Sequence, residues 1–548
     1  QVMAVYNGSE LQLYLDYKLL GSNIHSGKLT NTPFPVNVGR NMEQQQQGEW
    51  NGYLAHITMD NLLIFDQAVQ PNGEIDFSQL AGDALLALDF DELEDAGNFY
   101  YMGLGARNYG LIWPDRSIQP EMYQLKKVGQ PVDMKMIDGH QGLFAIENRY
   151  DFTNLNDLEQ TWQLTSNGKI ISSGAMNWNL APGMKQQVNI DWGKLEQTNQ
   201  EVILTLSFQL KEDKNWAKKG HEVAFAQFII KEAGDQLKSK RKAGEIELAD
   251  NANEYIISGE NFEYKFSKAS GALQSVTING KQLLESSLKL NMWHAPTSNE
   301  TDSWNEWRIK PIELTTGQGN SISNHWRTYG IDQAKEKLEK LEVYDLEDIV
   351  TIEVATTAVF NGNAGALKNT YTYAIDGSGQ IILNHKIMPV GRQPDFFPKL
   401  GLSFDVKHEF NQTNYYGRGP FENYPDRKTA AKIGKYQLPA SDYYVPYLTP
   451  QENGNRSDVR WATITDNAGN GVKITGQTPF HWSVSEYELD HLTRALYPFQ
   501  LQKQKAVTVN VDYEISGVGE TSTLVLPAYR VAPQNMERTI SILPIWGN

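Results

Sequence analysis

The residues in this chain able to do chemistry are carboxylates, amides and aromatic rings rather than nucleophiles or local metal-ligand sets. Zero cysteines remove disulfides, thiolate metal sites and a thiolate nucleophile. The ten histidines are scattered without metal-ligand spacing. His294, His325 and His481 each stand beside a tryptophan, a pairing that marks a half-buried structural imidazole more often than a ligand. H-E-x-x-H, phosphate-loop, G-x-G-x-x-G and G-x-S-x-G patterns are all missing from the sequence. What is abundant is 13 tryptophans and 26 tyrosines beside Asn, Asp and Glu. That mixture suits sugars, whose apolar faces lie on rings while amides and carboxylates take the hydroxyls. It also fills the cores of large β-sandwiches, so it bounds the chemistry without assigning it.

One stretch concentrates these residue types: "YYGRGPFENYPDRKTAA", Tyr415–Ala431. Its two glycines can take backbone angles closed to other residues, Pro420 and Pro425 stop ladder pairing, and Asp426 and Arg427 can tie a loop by a charge-assisted pair. The stretch reads as a rigid loop between strands. A direct substrate contact by Glu422, Asn423 or Asp426 is the second reading.

The elements around it read mainly as β. "EVILTLSFQL", "VAFAQFII", "VTVNVDYEI" and "IVTIEVATTAVF" alternate apolar and polar residues and are bounded by Gly, Asn, Asp or Pro, the pattern of antiparallel sheets. Two stretches read as helix: "PEMYQLKKV" from Pro120, with proline in the first turn, and "IDQAKEKLEKLEVY" from Ile331, with a solvated charged face. The charged, almost ring-free span Lys231–Asp250 reads as a linker between two β-rich regions. At 548 residues the chain divides into about three or four domains. A net charge of −17 without basic clusters argues against nucleic acid as a partner. No apolar run reaches the roughly 18 to 20 residues of a membrane helix, so no membrane partner is expected. The opening residues carry no basic n-region or small-residue cleavage site. The compartment stays open, with periplasmic or extracellular placement slightly preferred to cytoplasmic.

The stretch at Tyr415, followed at Val445 by "VPYLTPQENGNRSDVRW", resembles the paired signatures of the C-terminal domain of large β-galactosidases of glycoside hydrolase family 2. "GENFEYKFSKASGALQSVTINGKQLL" from Gly259, "LNMWHAPTSNE" from Leu290, "YAIDGSGQI" from Tyr373 and "GVGE" from Gly517 extend the resemblance to the C-terminus. It implies a β-supersandwich akin to galactose mutarotases over 245–548. It further implies an immunoglobulin-like β-sandwich over 129–235, and over 71–128 the end of a catalytic (β/α)8 barrel whose closing helix starts at Pro120. Residues 1–70 resemble the second half of a laminin-G or concanavalin-like jelly roll set into a late barrel loop.

The resemblance also implies a function. Retaining glycosidases flank the scissile bond with two carboxylates about 5 to 5.5 Å apart, and in this family both come from barrel strands that precede the matching segment. No catalytic residue is therefore expected in this chain, which reads as the C-terminal part of a longer polypeptide or one partner of a split or cleaved enzyme, inactive alone. The partners implied are a β-galactoside, the N-terminal barrel part and a second copy in a homo-oligomer. The family often uses magnesium and sodium in the barrel, but none is assigned here: Tyr109 falls where the family has a cation-binding asparagine, with Asn108 one position off. Asn108 and Tyr109, in the loop after the last barrel strand, and Glu300 and Asp302, in a loop beside the family's pocket, are the expected substrate-binding residues. Two alternatives stand beside hydrolysis. One is a non-catalytic carbohydrate-binding assembly. The other is a mutarotase-like epimerase, which needs an imidazole and a carboxylate, or two imidazoles, converging in one groove.

Overall fold

Alternation of apolar and polar residues becomes antiparallel pairing throughout unit two of the computed structural model, which divides into 1–109 and 110–548. The structure describes residues 2–24, 26–27, 62–69, 83–88, 110–194, 199–237, 241, 243–301, 322–360, 365–495, 498–519 and 525–547. Unit one contributes a meander of β1 (Val2–Tyr6), β2 (Glu10–Leu15) and β3 (Lys18–Ile24), and a pair of β4 (Leu62–Ile64) with β5 (Leu86–Leu88). Most of the expected jelly roll and barrel end lies outside the described residues. No helix among them is long and apolar enough to cross a membrane.

Unit two opens with α1 (Pro120–Val128), which starts at the expected proline and runs to Gly129. Seven strands follow: β6 (Val132–Asp138), β7 (Leu143–Asn148), β8 (Leu158–Ser166), β9 (Lys169–Met176), β10 (Lys185–Asn189), β11 (Val202–Leu210) and β12 (Glu222–Lys231). They form two sheets, β10-β7-β6 and β12-β11-β8-β9, around a core that includes Phe144, Leu164, Leu204 and Phe208. The run "VILTLSFQL" is apolar almost without interruption because both faces of β11 are covered. Leu204, Leu206 and Phe208 enter the sandwich core, while Ile203 packs with Tyr416 and Ile433 of the next domain.

The C-terminal region sets a five-stranded sheet, β13 (Glu247–Asp250), β14 (Glu254–Gly259), β15 (Phe262–Ser267), β16 (Leu273–Ile278) and β17 (Lys281–Gln282), against a twelve-stranded one. The larger sheet comprises β18 (Lys289–Asn291), β19 (Glu336–Asp345), β20 (Ile349–Val359), β21 (Gly365–Asp376), β22 (Ile381–Gly391), β23 (Lys399–Lys407), β24 (Gln412–Gly419), β25 (Lys432–Pro439), β26 (Arg456–Thr465), β27 (Gly471–Tyr487), β28 (Lys503–Ile515) and β29 (Met536–Ile545). Its path is β18-β23-β28-β27-β29-β22-β21-β20-β19, with β24, β25 and β26 branching from β27. Between β18 and β19 the described residues include the short helices α2 (Ser298–Thr301) and α3 (Ile322–Tyr329). The molecule is mainly β, as expected.

Two local readings are corrected. "IDQAKEKLEKLEVY" is not a helix: after a 3-10 turn at Ile331–Gln333 it becomes the edge strand β19. A register shift between Leu338 and Lys340 inserts one residue, so Leu338 and Leu341 both pack on the core although they stand three apart. The bulge makes a strand imitate helical spacing, and its Lys and Glu side chains suit an exposed sheet edge. Among the helices the sequence reading passed over is α3, whose buried Ile322, Trp326 and Tyr329 fall at i, i+4 and i+7.

One polar side chain sits deep in the larger sheet and gives stability a pH dependence. His385 stacks on Tyr371 at 4.0 Å between ring centroids, with Nδ1 3.2 Å from Tyr513 Oη and Nε2 3.3 Å from Asn369 Oδ1. Burial drives its pKa from 6.5 down to about 3. The folded state holds it neutral while the unfolded chain protonates below 6.5, so its contribution is present above that value and is lost as pH falls. The expected loss approaches ~1.4 kcal/mol per pH unit, one proton's worth. Denaturant melts of the wild type and His385→Gln across this range check it: the variant's slope is expected to be shallower by about one proton. Identical slopes would mean that the imidazole is not held neutral.

Candidate functional site

The loop after β18 turns Trp293 and His294 inward and leads into α2. Glu300, in that short helix, reaches back to accept the Thr297 N–H at 2.8 Å, the reciprocal half of a capping box, and lies 2.9 Å from His294 Nε2. On its other side His294 Nδ1 stands 4.0 Å from Glu452, whose Oε2 is 3.9 Å from Lys399 Nζ. Lys399 in turn lies 3.2 Å from Asp512, which also accepts from Asn291 Nδ2 at 3.2 Å. A chain of alternating charge, Glu300–His294–Glu452–Lys399–Asp512, thus runs through the interior, with Lys399 2% and Asp512 0% exposed. Burial opposes a charge on His294, but the Glu300 and Glu452 carboxylates outweigh it and raise its pKa. Burial lifts Asp512 to about 6 despite the Lys399 ammonium beside it.

The chain brings an imidazole and carboxylates together, as the epimerase reading requires, but among the described residues they are buried rather than lining a groove. Neither His294 nor Glu300 lines either of the two cavities described below. His294 Nδ1, Thr297 Oγ1 and Glu452 Oε1 are buried without a hydrogen bond among the described residues.

The stretch at Tyr415 builds a second network. Its first five residues belong to β24 and the remainder forms the connection to β25. Gly417 and Gly419 do not serve unusual backbone angles, as neither has positive φ. They admit close neighbours instead: a Cβ on Gly419 would lie 2.2 Å from Tyr415 Oη, and one on Gly417 2.8 Å from Val459 Cα. Nor do Asp426 and Arg427 pair with each other. Asp426 accepts the Val518 and Gly519 N–H groups at 3.1 and 2.8 Å, whereas Arg427 donates to Glu422 at 2.5 Å and pairs with Glu121 of α1.

Glu422 is enclosed by this arrangement. Its carboxylate also accepts the Tyr447 hydroxyl and the Gly454 N–H, each at 2.6 Å. Burial pushes its pKa up to about 7, only partly offset by those two donors. Asn423 Nδ2 donates to the Arg418 and Phe421 carbonyls, and its Oδ1 accepts the Ser457 N–H at 2.9 Å. Glu422 and Asn423 are 2% and 0% exposed, so among the described residues both side chains are shut off from the surface. The loop is scaffold, and what it holds is α1: Tyr123 stacks on Phe421 at 4.2 Å, and Gln124 exchanges hydrogen bonds with Thr429 and Ala430.

The sandwich is fixed to the same face of the C-terminal domain. Glu201 receives Arg460 Nη2 at 2.6 Å and the Tyr416 hydroxyl at 2.7 Å, while the Gln227 amide exchanges hydrogen bonds with both backbone groups of Ile433.

Two cavities stand out among the described residues. The larger, about 930 Å³, lies on the outer face of β20, β21, β22 and β29, where Thr357, Lys368, Lys386, Met388 and Glu537 line it without a single ring. The smaller, about 230 Å³, lies between α1, β12 and the β24–β25 segment. Of the expected substrate-binding residues, Asn108, Tyr109 and Asp302 fall outside the described residues, and Glu300 is buried against His294. No group of three or more His, Asp or Glu that could hold a metal ion occurs among the described residues. Sequence reasoning missed Lys399, Glu452 and Asp512 because they are brought together from distant strands and loops, leaving no local spacing to read.

Two family models match the chain: beta galactosidase small chain over residues 258–542 and beta-galactosidase domain 4 over 144–231. The chain is 31% identical over 458 residues to a beta-galactosidase of Priestia megaterium (strain DSM 319 / IMG 1521), covering 83% of this chain and 41% of that protein. It is 28% identical over 425 residues to a beta-galactosidase of Pseudoalteromonas haloplanktis, covering 75% of this chain and 39% of that one. It thus spans about two fifths of the length of these curated relatives. Among solved structures, a galactose 1-epimerase from Lactobacillus acidophilus NCFM overlaps 55% of this chain and 98% of its own, with a TM-score of 0.31 and 9% identity. With the small-chain model covering more than half of its residues, the chain belongs to the β-galactosidase family.

Proposed function

We propose that this chain is the C-terminal part of a β-galactosidase-like glycoside hydrolase that cleaves terminal β-galactosides by a retaining two-carboxylate mechanism, with both catalytic carboxylates outside it. The observation that carries this reading is the anchoring of α1, the helix that the family resemblance makes the last of the barrel. Glu121, Tyr123 and Gln124 on α1 are held by the Glu422–Arg427 network and by Phe421, Thr429 and Ala430 of the signature stretch. A barrel attached there is fixed against both β-sandwiches, and binding geometry held by such rigid supports is what positions a substrate for attack. On this reading Asn108, Tyr109 and Asp302 belong to the wall of the sugar pocket, and Glu300 sets the course of the loop that carries Asp302.

Assay on a chromogenic β-galactoside, with and without the N-terminal part, tests the proposal. The complemented protein is expected to release product. A complemented protein that binds galactosides saturably without cleaving them would overturn hydrolysis and leave a carbohydrate-binding assembly.

A further inference from the structure

The smaller cavity has a charge balance that runs against the rest of the molecule. In a chain of net charge −17, three ammonium groups, Lys126, Lys127 and Lys432, face one cavity whose single acidic lining residue is Glu222. Glu222 is already engaged, receiving Lys432 Nζ at 2.8 Å on both oxygens. The other charges that Lys127 senses are matched elsewhere: Asp133 pairs with Arg149 at 3.2 Å, and Arg418 with Asp458 at 2.5 Å. Lys127 donates to neutral groups, the Gln130 side chain at 3.0 Å and the Phe225 carbonyl, and Lys126 lies 3.0 Å from His221 Nε2. Lys127 and Lys432 both stand over the Phe225 ring, 4.0 and 4.4 Å from its centroid, which partly offsets their charge without neutralising it.

Three cations against one carboxylate leave two positive charges in a partly desolvated space. We propose that this cavity is a binding site for a phosphate group, free or as the monoester of a small organic molecule. Its dianionic charge completes the balance with Lys126, Lys127 and Lys432, and any organic part lies against Pro420, Phe421 and Tyr436. Burial lowers the pKa of both Lys126 and Lys127; the Glu222 carboxylate opposes it and the nearby Lys432 ammonium adds to it, leaving Lys127 at about 8. An anion between them reverses that effect by favouring the protonated forms. The site is independent of the galactoside reading, since it uses only side chains of this chain.

Calorimetric titration of the full chain with inorganic phosphate, with sulfate and with phenyl phosphate tests it, with chloride at matched ionic strength as the control for screening. Saturable binding of phosphate and sulfate, absent with chloride, is expected. Sulfate does not titrate in this range, so its affinity should fall as pH rises through the Lys127 value of about 8. Lys127→Met and Lys432→Met should each weaken binding about tenfold or more, and exposed Lys126→Met should do so a few-fold. Phenyl phosphate binding tighter than inorganic phosphate identifies an esterified ligand, and equal affinities identify the free ion. No saturable heat, or unchanged affinity in Lys126→Met and Lys127→Met variants that keep the wild-type melting temperature, would overturn the site.

Discussion

Purified residues 1–548, without an N-terminal part, are expected to leave a chromogenic β-galactoside intact, at least about six orders of magnitude below the complemented protein. A glycosidic bond breaks when one carboxyl group protonates the leaving oxygen and a carboxylate attacks from the other face. Three buried carboxylates among the described residues are committed elsewhere. Glu422 is enclosed by Arg427, Tyr447 and Gly454, Asp512 by Lys399 and Asn291, and Glu300 by His294 and Thr297. The larger cavity does present Glu339 and Glu537, but Glu537 lies on open sheet 3.4 Å from Lys386, and no ring is there to cover a sugar face. Turnover by the lone chain, abolished by Glu537→Gln or Glu339→Gln, would sink the two-carboxylate proposal and move the chemistry onto this sheet.

How much of this was legible in the sequence follows from the range of the interactions involved. Strand alternation and the proline that opens α1 are local, so the antiparallel sandwiches and that helix could be read directly. The bulge in β19 is local in the structure but not in the pattern. One inserted residue moves Leu341 to the spacing of a helix, and only pairing with β20 reveals the difference. The stretch at Tyr415 was recognisable as scaffold, yet its partners were not: Arg427 turns to Glu121, about three hundred residues away in sequence, rather than to its neighbour Asp426. Glycines that looked like sources of unusual backbone angles are there to let Tyr415 and Val459 approach. The charged chain through His294, Lys399 and Asp512 joins a loop to two strands adjacent in the sheet, β23 and β28, and adjacency between strands far apart in sequence has no signature in either one.

That charged chain carries the largest expected effect on stability. Lys399→Met should destabilise the C-terminal domain by about 3–5 kcal/mol at neutral pH, the cost of leaving a buried carboxylate without its cation. Methionine matches the length and apolar character of the lysine stem, so the loss isolates the charge rather than the packing. Among the described residues Asp512 is then left with Asn291 as its one remaining side-chain donor, and Glu452 with His294 as its one remaining ion-pair partner. The penalty should shrink as pH falls. Asp512 already has its pKa lifted to about 6 by burial, and removing the ammonium lifts it further, so acid supplies a proton in place of the lost cation. Adding Asp512→Asn to Lys399→Met should recover much of the loss, because a neutral amide beside Asn291 costs less to bury than a carboxylate. Denaturant unfolding of the wild type, both single variants and the double variant closes the cycle. A coupling near zero, or a Lys399→Met penalty that grows on acidification, would show that Asp512 does not depend on Lys399.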